Sequence, residues 1–330
     1  MRAITYDTFG PAEDVLTLSE LPTPDPAEGE VQVTLAFSGV NPSDVKARAG
    51  TRPGVMKPPF PKICPHSDGA GTITAVGPGV NAARIGERVW LWNGQWQRAW
   101  GTAAEVICLP TAQAVALPDG VDLETGASLG IPGMTAAHTV FGGGDITGKT
   151  VLIHGGNGTV GHLAVQLARW GGAKVIATAS PTDFARCKNA GAESALDYRA
   201  ADLGDGILAA NGGRPVDRII DVEFGRNIAV NAQVIAPNGT LAAYGSAKNM
   251  NPEIPFGALL FKAVTIDICL VYILEKIQRA HAIDLLHKSL VDSALSCPVA
   301  KTYPLEQTAK AHEAVEAGGR EGAILVGTAR

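Results

Sequence analysis

One stretch constrains this chain more than any other: Thr150-Val151-Leu152-Ile153-His154-Gly155-Gly156-Asn157-Gly158-Thr159-Val160-Gly161. An apolar strand runs into Gly156-x-Gly158-x-x-Gly161, and His162-Leu163-Ala164-Val165-Gln166-Leu167-Ala168 leaves it with helical spacing. A glycine-rich turn that only reversed the chain would need neither the strand before it nor the helix after it. Both are present, and a second apolar run, residues 174–179, follows at the right interval. The spacing predicts a dinucleotide-binding βαβ unit. On this reading Gly156 permits the sharp turn, Gly158 removes a Cβ where backbone must approach a pyrophosphate, and Gly161 lets the helix lie close to the strand. Free amides at the helix start, together with the positive end of its dipole, stabilise the diphosphate.

The same pattern continues beyond the loop. Residues 151–153, 175–179, 218–221 and 241–244 are short apolar runs separated by helix-length segments, as in a parallel sheet covered on both faces. The first 120 residues read differently. Val31-Gln32-Val33-Thr34-Leu35-Ala36-Phe37 alternates with period two, Gly71-Thr72-Ile73-Thr74-Ala75-Val76-Gly77 is bounded by glycines, and Pro22, Pro24, Pro26, Pro53, Pro58, Pro59 and Pro61 punctuate the text. This predicts an irregular β-rich domain. After Thr265 come an apolar run at 266–271, an amphipathic stretch at 274–290 and a last strand at 322–326. These would overfill the α/β unit. The expectation is therefore a discontinuous domain, 1–124 with 267–330, and a Rossmann doubly wound parallel sheet, 125–266, inserted in it.

Charge and cysteine content narrow the function classes. With 27 Lys and Arg against 32 Asp and Glu the net charge is −5, and no basic run interrupts it, which argues against binding a nucleic-acid backbone. Cys64, Cys108, Cys187, Cys269 and Cys297 form no CxxC pair and are odd in number, so the usage suits a reducing compartment and a cytoplasmic chain. The N-terminus turns polar by Asp7, and the apolar stretch at 258–274 is broken by Lys262 and Asp267, so neither a secretory signal nor a membrane span is expected.

Cofactor choice is read at the end of the second strand. An NAD site places Asp or Glu there to hold the ribose hydroxyls; this chain has Ala179-Ser180-Pro181. No carboxylate repels a 2'-phosphate, Ser180 can donate to one, and Arg186 can supply charge, so NADP(H) is expected. Arg186 as a plain solvated helix residue is the alternative.

Several further segments occur in a fixed order: Asn41-Pro42-Ser43-Asp44-Val45-Lys46, Pro65-His66-Ser67-Asp68-Gly69-Ala70-Gly71, Gly86-Glu87-Arg88-Val89, Leu129-Gly130-Ile131-Pro132-Gly133-Met134-Thr135-Ala136, the loop above, and Tyr303-Pro304-Leu305-Glu306-Gln307. In that combination the chain resembles, almost end to end, the medium-chain dehydrogenases/reductases, and within them the quinone oxidoreductase or zeta-crystallin branch. The resemblance implies a GroES-like catalytic domain around the Rossmann domain. It implies that Asn157, Gly158, Thr159 and Val160 hold the pyrophosphate, that Ser180 and Tyr198 border the 2'-phosphate, that Gly245 and Ser246 contact the diphosphate or ribose, and that the backbone of Cys269, Leu270 and Val271 faces the nicotinamide. Tyr198 as an ordinary aromatic stays open beside this.

Asn41 and Lys46 match family positions that line the substrate pocket. Many members have tyrosine where this chain has Lys46; an ammonium can still donate to a developing oxyanion, or the residue can be a snorkelling surface lysine. Zinc-dependent members use Cys, then His-Glu, then Cys or Asp; the matching places here hold Asn41 and Ser67-Asp68, with His66 one residue early, so no metal is expected. Without a Lewis acid, what remains is hydride delivery to an acceptor that is already electrophilic, a quinone or an α,β-unsaturated carbonyl. The resemblance names the same substrates. Reduction of quinones by NADPH is the first reading, an enone or alkenal reductase the second, and a non-catalytic NADPH-binding structural or RNA-binding protein the third. Trp90, Trp92, Trp96 and Trp100 fall within eleven residues, either as a stacking wall for a flat acceptor or as a packed cluster. A homodimer through the apolar edge at 263–269 is expected from the family's habit.

Overall fold

Alternation of apolar and polar residues along Glu30–Val40 produces an 11-residue strand whose Val31, Val33 and Leu35 are buried in the core. The computed structural model describes residues 1–52 and 54–329; Pro53 and Arg330, the latter inside the expected 267–330 segment, lie outside the described residues. The strands in chain order begin with β1 (Arg2–Thr5), β2 (Thr17–Glu20), β3 (Glu30–Val40), β4 (Asp68–Val76), β5 (Arg88–Leu91), β6 (Val106–Pro110) and β7 (Ala114–Ala116). Six more follow: β8 (Thr150–His154), β9 (Lys174–Ala179), β10 (Ser194–Asp197), β11 (Val216–Asp221), β12 (Ile235–Ala243) and β13 (Thr265–Ile268). The last two are β14 (Val299–Pro304) and β15 (Ala323–Gly327).

The chain divides into two units, Met1–Ile131 with Cys297–Arg330, and Pro132–Ser296. In the first, the sheet order is β14-β15-β3-β4-β5-β7, with β6 also paired to β3 and a separate β1-β2 ribbon. Most of its ladders are antiparallel, and register shifts in the β3–β4 pair bend it around Val31, Val33, Leu35, Ile73, Val89, Leu91, Ile107 and Leu109. In the second unit all pairings are parallel, in the order β10-β9-β8-β11-β12-β13. Every residue of β8 is buried, as the continuous apolar run requires when helices cover both faces. Leu152, Ile176, Ile219 and Leu241 from neighbouring strands share one core with Ile207, Ile228 and Ala232 from the helices. Among the described residues no helix is long and apolar enough to cross a membrane.

The units divide at 131/132 and 296/297, whereas sequence reading placed the boundaries at 124/125 and 266/267. The second boundary would cut β13, which pairs with β12 through Leu241↔Ile266 and Ala243↔Ile268. The amphipathic stretch beyond it is the helix Lys276–Val291, which packs on the helix Met134–Phe141. Trp170 Nε1 donates to Asp292 at 2.9 Å, and Gln166 bonds the backbone of Ser296 in both directions, which keeps the segment with the parallel sheet.

Candidate active site

All six parallel strands deliver their carboxyl ends to one edge of the sheet, and the loops that leave them carry the predicted cofactor residues. The loop after β8 turns at Gly155, whose φ of +72° is left-handed. The turn therefore belongs to Gly155 and not to Gly156, where the sequence pattern put it. Gly156 is required for a different reason: a Cβ there would come within 2.8 Å of the Ala177 Cβ on β9. Gly161 behaves as expected, since a Cβ would sit 2.1 Å from the Gly155 carbonyl oxygen. Helix and strand can approach only because it is absent. Gly158 is the N-cap of the helix Thr159–Trp170, with open space on its Cβ side apart from the Gly155 carbonyl at 3.4 Å. Thr159, Val160 and Gly161 are the first helical residues, whose amides have no carbonyl one turn earlier to bond within the helix. Asn157 has a buried side-chain oxygen with no partner among the described residues. An orphaned amide beside a row of helix-start amides is what a diphosphate with ribose hydroxyls would satisfy, so the loop fits a dinucleotide.

Around the same edge, Ser180 follows β9 half-buried, with no side-chain capping bond. Arg186, on the short helix Phe184–Asn189, is half-buried, and its cation adds to burial in pulling His162 down to about 4. Tyr198 follows β10 and is 41% exposed, with its backbone amide bonded to Ala179 at 3.3 Å. Gly245 follows β12 and accepts the Phe224 amide. The Ser246 hydroxyl donates to the Asn249 carbonyl and accepts the Gly225 amide, so its proton is used inside the loop. Cys269, just past β13, donates its amide to Ala243 at 2.8 Å; Leu270 is half exposed and Val271 buried. His154 is satisfied by Thr178 and Asn231.

The first unit holds a separate polar cluster. Asn41 is the N-cap of the helix Pro42–Ala49, 6% exposed; its amide nitrogen donates to Asp68 Oδ2 at 2.8 Å and its backbone N–H to Asp44 Oδ2 at 2.8 Å. Asp68 also accepts the Ile131 amide. Burial pushes the Asp44 carboxyl up to about 7 and Asp68 well above its usual range, against the hydrogen bonds each accepts. Lys46 on the same helix is exposed, and its ammonium has no partner among the described residues. Asp44 and Asp68 were not singled out from sequence as partners of Asn41. The Asn41-x-x-Asp44 capping spacing was the available signal for the first; Asp68 had been read only as the place of a missing zinc ligand.

His66, with a left-handed φ of +77°, is fully buried. Its Nδ1 lies 2.8 Å from Ser38 Oγ and its Nε2 2.8 Å from His312 Nε2; Ser38 continues to Thr102 at 2.8 Å, and Thr102 donates to the Asp68 carbonyl at 2.6 Å. Both ring nitrogens are thus spent within the protein. Among the described residues no three of His, Cys, Asp and Glu are grouped to hold a metal, and an amide, a hydroxyl and a carboxyl bound to that amide do not match zinc chemistry. The residues do not fit a catalytic zinc. The tryptophans do not make one wall either: Trp90 is buried in the core, Trp92 donates to Ala112 at 3.2 Å, and Trp100, 44% exposed, lines a cavity of about 510 Å³ with Leu21, Pro22 and Ile107.

Two family models match the chain: the alcohol dehydrogenase GroES-like domain over residues 27–119, and the zinc-binding dehydrogenase domain over residues 159–288. A quinone oxidoreductase of Rattus norvegicus is 29% identical over 99% of this chain and 97% of its own length. Among solved structures, an NAD-dependent alcohol dehydrogenase is 26% identical, with TM-score 0.87 and full coverage of both chains. The Escherichia coli quinone oxidoreductase complexed with NADPH is 25% identical, with TM-score 0.84, covering 99% of this chain and 100% of that one. The chain is an oxidoreductase. With the nucleotide loop intact, the two domain types in their order and relatives matching end to end, it belongs to the medium-chain dehydrogenases/reductases, in their quinone oxidoreductase family.

Proposed function

We propose that this protein reduces quinones with NADPH by direct hydride delivery, without zinc. The observation that carries the reading is the pairing of a nucleotide loop that fits a dinucleotide with a donor set, Asn41 and Ser67-Asp68, that does not fit zinc. When bound, a reduced nicotinamide supplies a hydride; with no Lewis acid to polarise an alcohol or simple ketone, the acceptor must be electrophilic already. A quinone takes the hydride and one proton from water and leaves as the hydroquinone. The names of the similar proteins support the quinone over other electrophiles.

The chain's own residues supply binding and electrostatics. Asn157 and the amides of residues 158–160 hold the diphosphate, with Gly245, Ser246 and the backbone of Cys269, Leu270 and Val271 along the same edge. The absence of a carboxylate at Ala179-Ser180-Pro181 supports NADP(H) over NAD(H). Asp68 and the helix start hold Asn41 in one orientation, so its role is positional hydrogen bonding, while Lys46 offers an unpaired cation to a developing oxyanion. Purified protein should oxidise NADPH with benzoquinones or naphthoquinones and prefer NADPH to NADH. Turnover of enones and enals alone would move the assignment to an activated-alkene reductase, and tight cofactor binding with no oxidation across both panels would make it a non-catalytic NADPH-binding protein.

A homodimer is part of the proposal. β13 is an edge strand, and Phe256, Phe261 and Ile268 near it are 68%, 91% and 67% exposed, an apolar edge that a second copy would cover. A monomer mass in solution at micromolar concentration would refute it.

A further inference from the structure

Two guanidinium groups not yet given a role converge on one aromatic ring. Arg199 lies 5.1 Å and Arg226 5.7 Å from the Tyr198 ring centroid. Tyr198 is tied to β9 by its amide bond to Ala179, so the ring stands beside the strand end that leads into Ser180. Arg226 comes from the first turn of the helix Phe224–Val234, after β11. In the order β10-β9-β8-β11 the two loops start three strand spacings apart, about 14 Å. The contact of Arg226 with the ring closes that distance along the carboxyl edge, on the side where β8 and β9 release the nucleotide loop and Ser180.

The charges there are uneven. Arg199 is anchored through its backbone N–H and Nε to Asp197 Oδ1, at 3.0 and 3.2 Å, which leaves both Nη groups without partners among the described residues. Arg226 is exposed and, among the described residues, has no carboxylate partner. Both cations lie over the one ring, and among the described residues Asp197 is the carboxylate paired with either of them. A dianionic phosphomonoester is the ligand that balances such a pair, and guanidinium forks match its oxygens. Arg186 is instead half-buried, and its charge is felt at His162 and Cys187.

We propose that Arg199 and Arg226, placed by the Tyr198 ring, read the 2'-phosphate of NADP(H), with Arg226 the stronger determinant because Asp197 offsets Arg199. The inference rests on the NADP(H) reading above. It is tested by equilibrium binding, without turnover, using 2',5'-ADP against 5'-AMP and NADPH against NADH. Both arginines are exposed, so truncation leaves the fold intact. Arg226→Ala should weaken 2',5'-ADP and NADPH about tenfold, the scale of a lost charge-assisted bond, with 5'-AMP and NADH changed less than twofold. Arg199→Ala should lose less. The inference is overturned if both arginine variants keep the parent's discrimination while Arg186→Ala loses it. If the parent protein itself binds 2',5'-ADP no tighter than 5'-AMP, the NADP(H) reading fails, and the inference with it.

Discussion

Replacing His312 with glutamine should change how stability depends on pH, and the hydrogen-bond chain fixes the direction. Thr102 spends its only hydroxyl proton on the Asp68 carbonyl, so Ser38 must donate to Thr102 and can only accept from His66. His66 then carries its proton on Nδ1, its Nε2 is a bare acceptor, and His312 must donate Nε2–H to it. His312 Nδ1 is left bare and buried with no partner among the described residues. Both rings are neutral in the fold: burial pulls His66 down to about 3, and burial, then His66 and Arg48, hold His312 well below its usual value. A lowered folded pKa means that the stability from keeping His312 neutral is present above about pH 6.5 and is lost as pH falls, because the unfolded chain takes the proton first. One proton is worth about 1.4 kcal/mol per pH unit, hence about 2 kcal/mol between pH 6.5 and 5. Asp44 and Asp68, raised by burial, act in the opposite sense over the same range, but they are common to both proteins and cancel in the difference. His312→Gln keeps an N–H for His66 and cannot titrate. Denaturant unfolding of both proteins from pH 8 to pH 5 should therefore show the variant gaining about 2 kcal/mol on the parent as pH falls. A difference that stays constant with pH would show that His312 is protonated or hydrated in the fold, and the directional chain would be wrong.

Other outcomes follow from the same geometry. Gly161→Ala puts a methyl 2.1 Å from the Gly155 carbonyl, so it should cost about 1–3 kcal/mol in thermal stability and weaken NADPH binding at least tenfold; normal binding in a stably folded variant would contradict the close approach. Asn41→Ala should lower kcat about 10- to 100-fold with NADPH affinity unchanged, measured by steady-state kinetics beside fluorescence titration. Lys46→Ala should reduce kcat less, since the group is exposed, and Lys46→Arg should restore most of it; equal kinetics for all three would remove Lys46 from the site.

What sequence could and could not reveal follows from the range of the interactions. The nucleotide loop was legible because strand, glycines and helix are contiguous, and so was the parallel sheet, because burial on both faces writes itself as short unbroken apolar runs such as residues 151–153 within Thr150–His154. The assignment of the turn to Gly156 failed because spacing alone cannot tell which of two adjacent glycines takes positive φ. The boundary at 266/267 failed because the partners of β13 and of the helix Lys276–Val291 lie over 20 and over 130 residues earlier in the chain. The Asp68–Asn41 bond spans 27 residues and the His66–His312 contact 246, so no local pattern announces either. Ser246 was expected to contact the diphosphate or ribose, and only the folded loop shows its hydroxyl proton given to Asn249.

The central claim, hydride transfer to an already electrophilic acceptor without a metal, is tested most directly by following NADPH absorbance with 1,4-benzoquinone in protein treated with a strong chelator and checked for metal content. Metal-free protein is predicted to oxidise NADPH at the same rate as untreated protein and to leave simple alcohols and ketones untouched. Loss of activity on chelation, restored by stoichiometric zinc, would contradict the account.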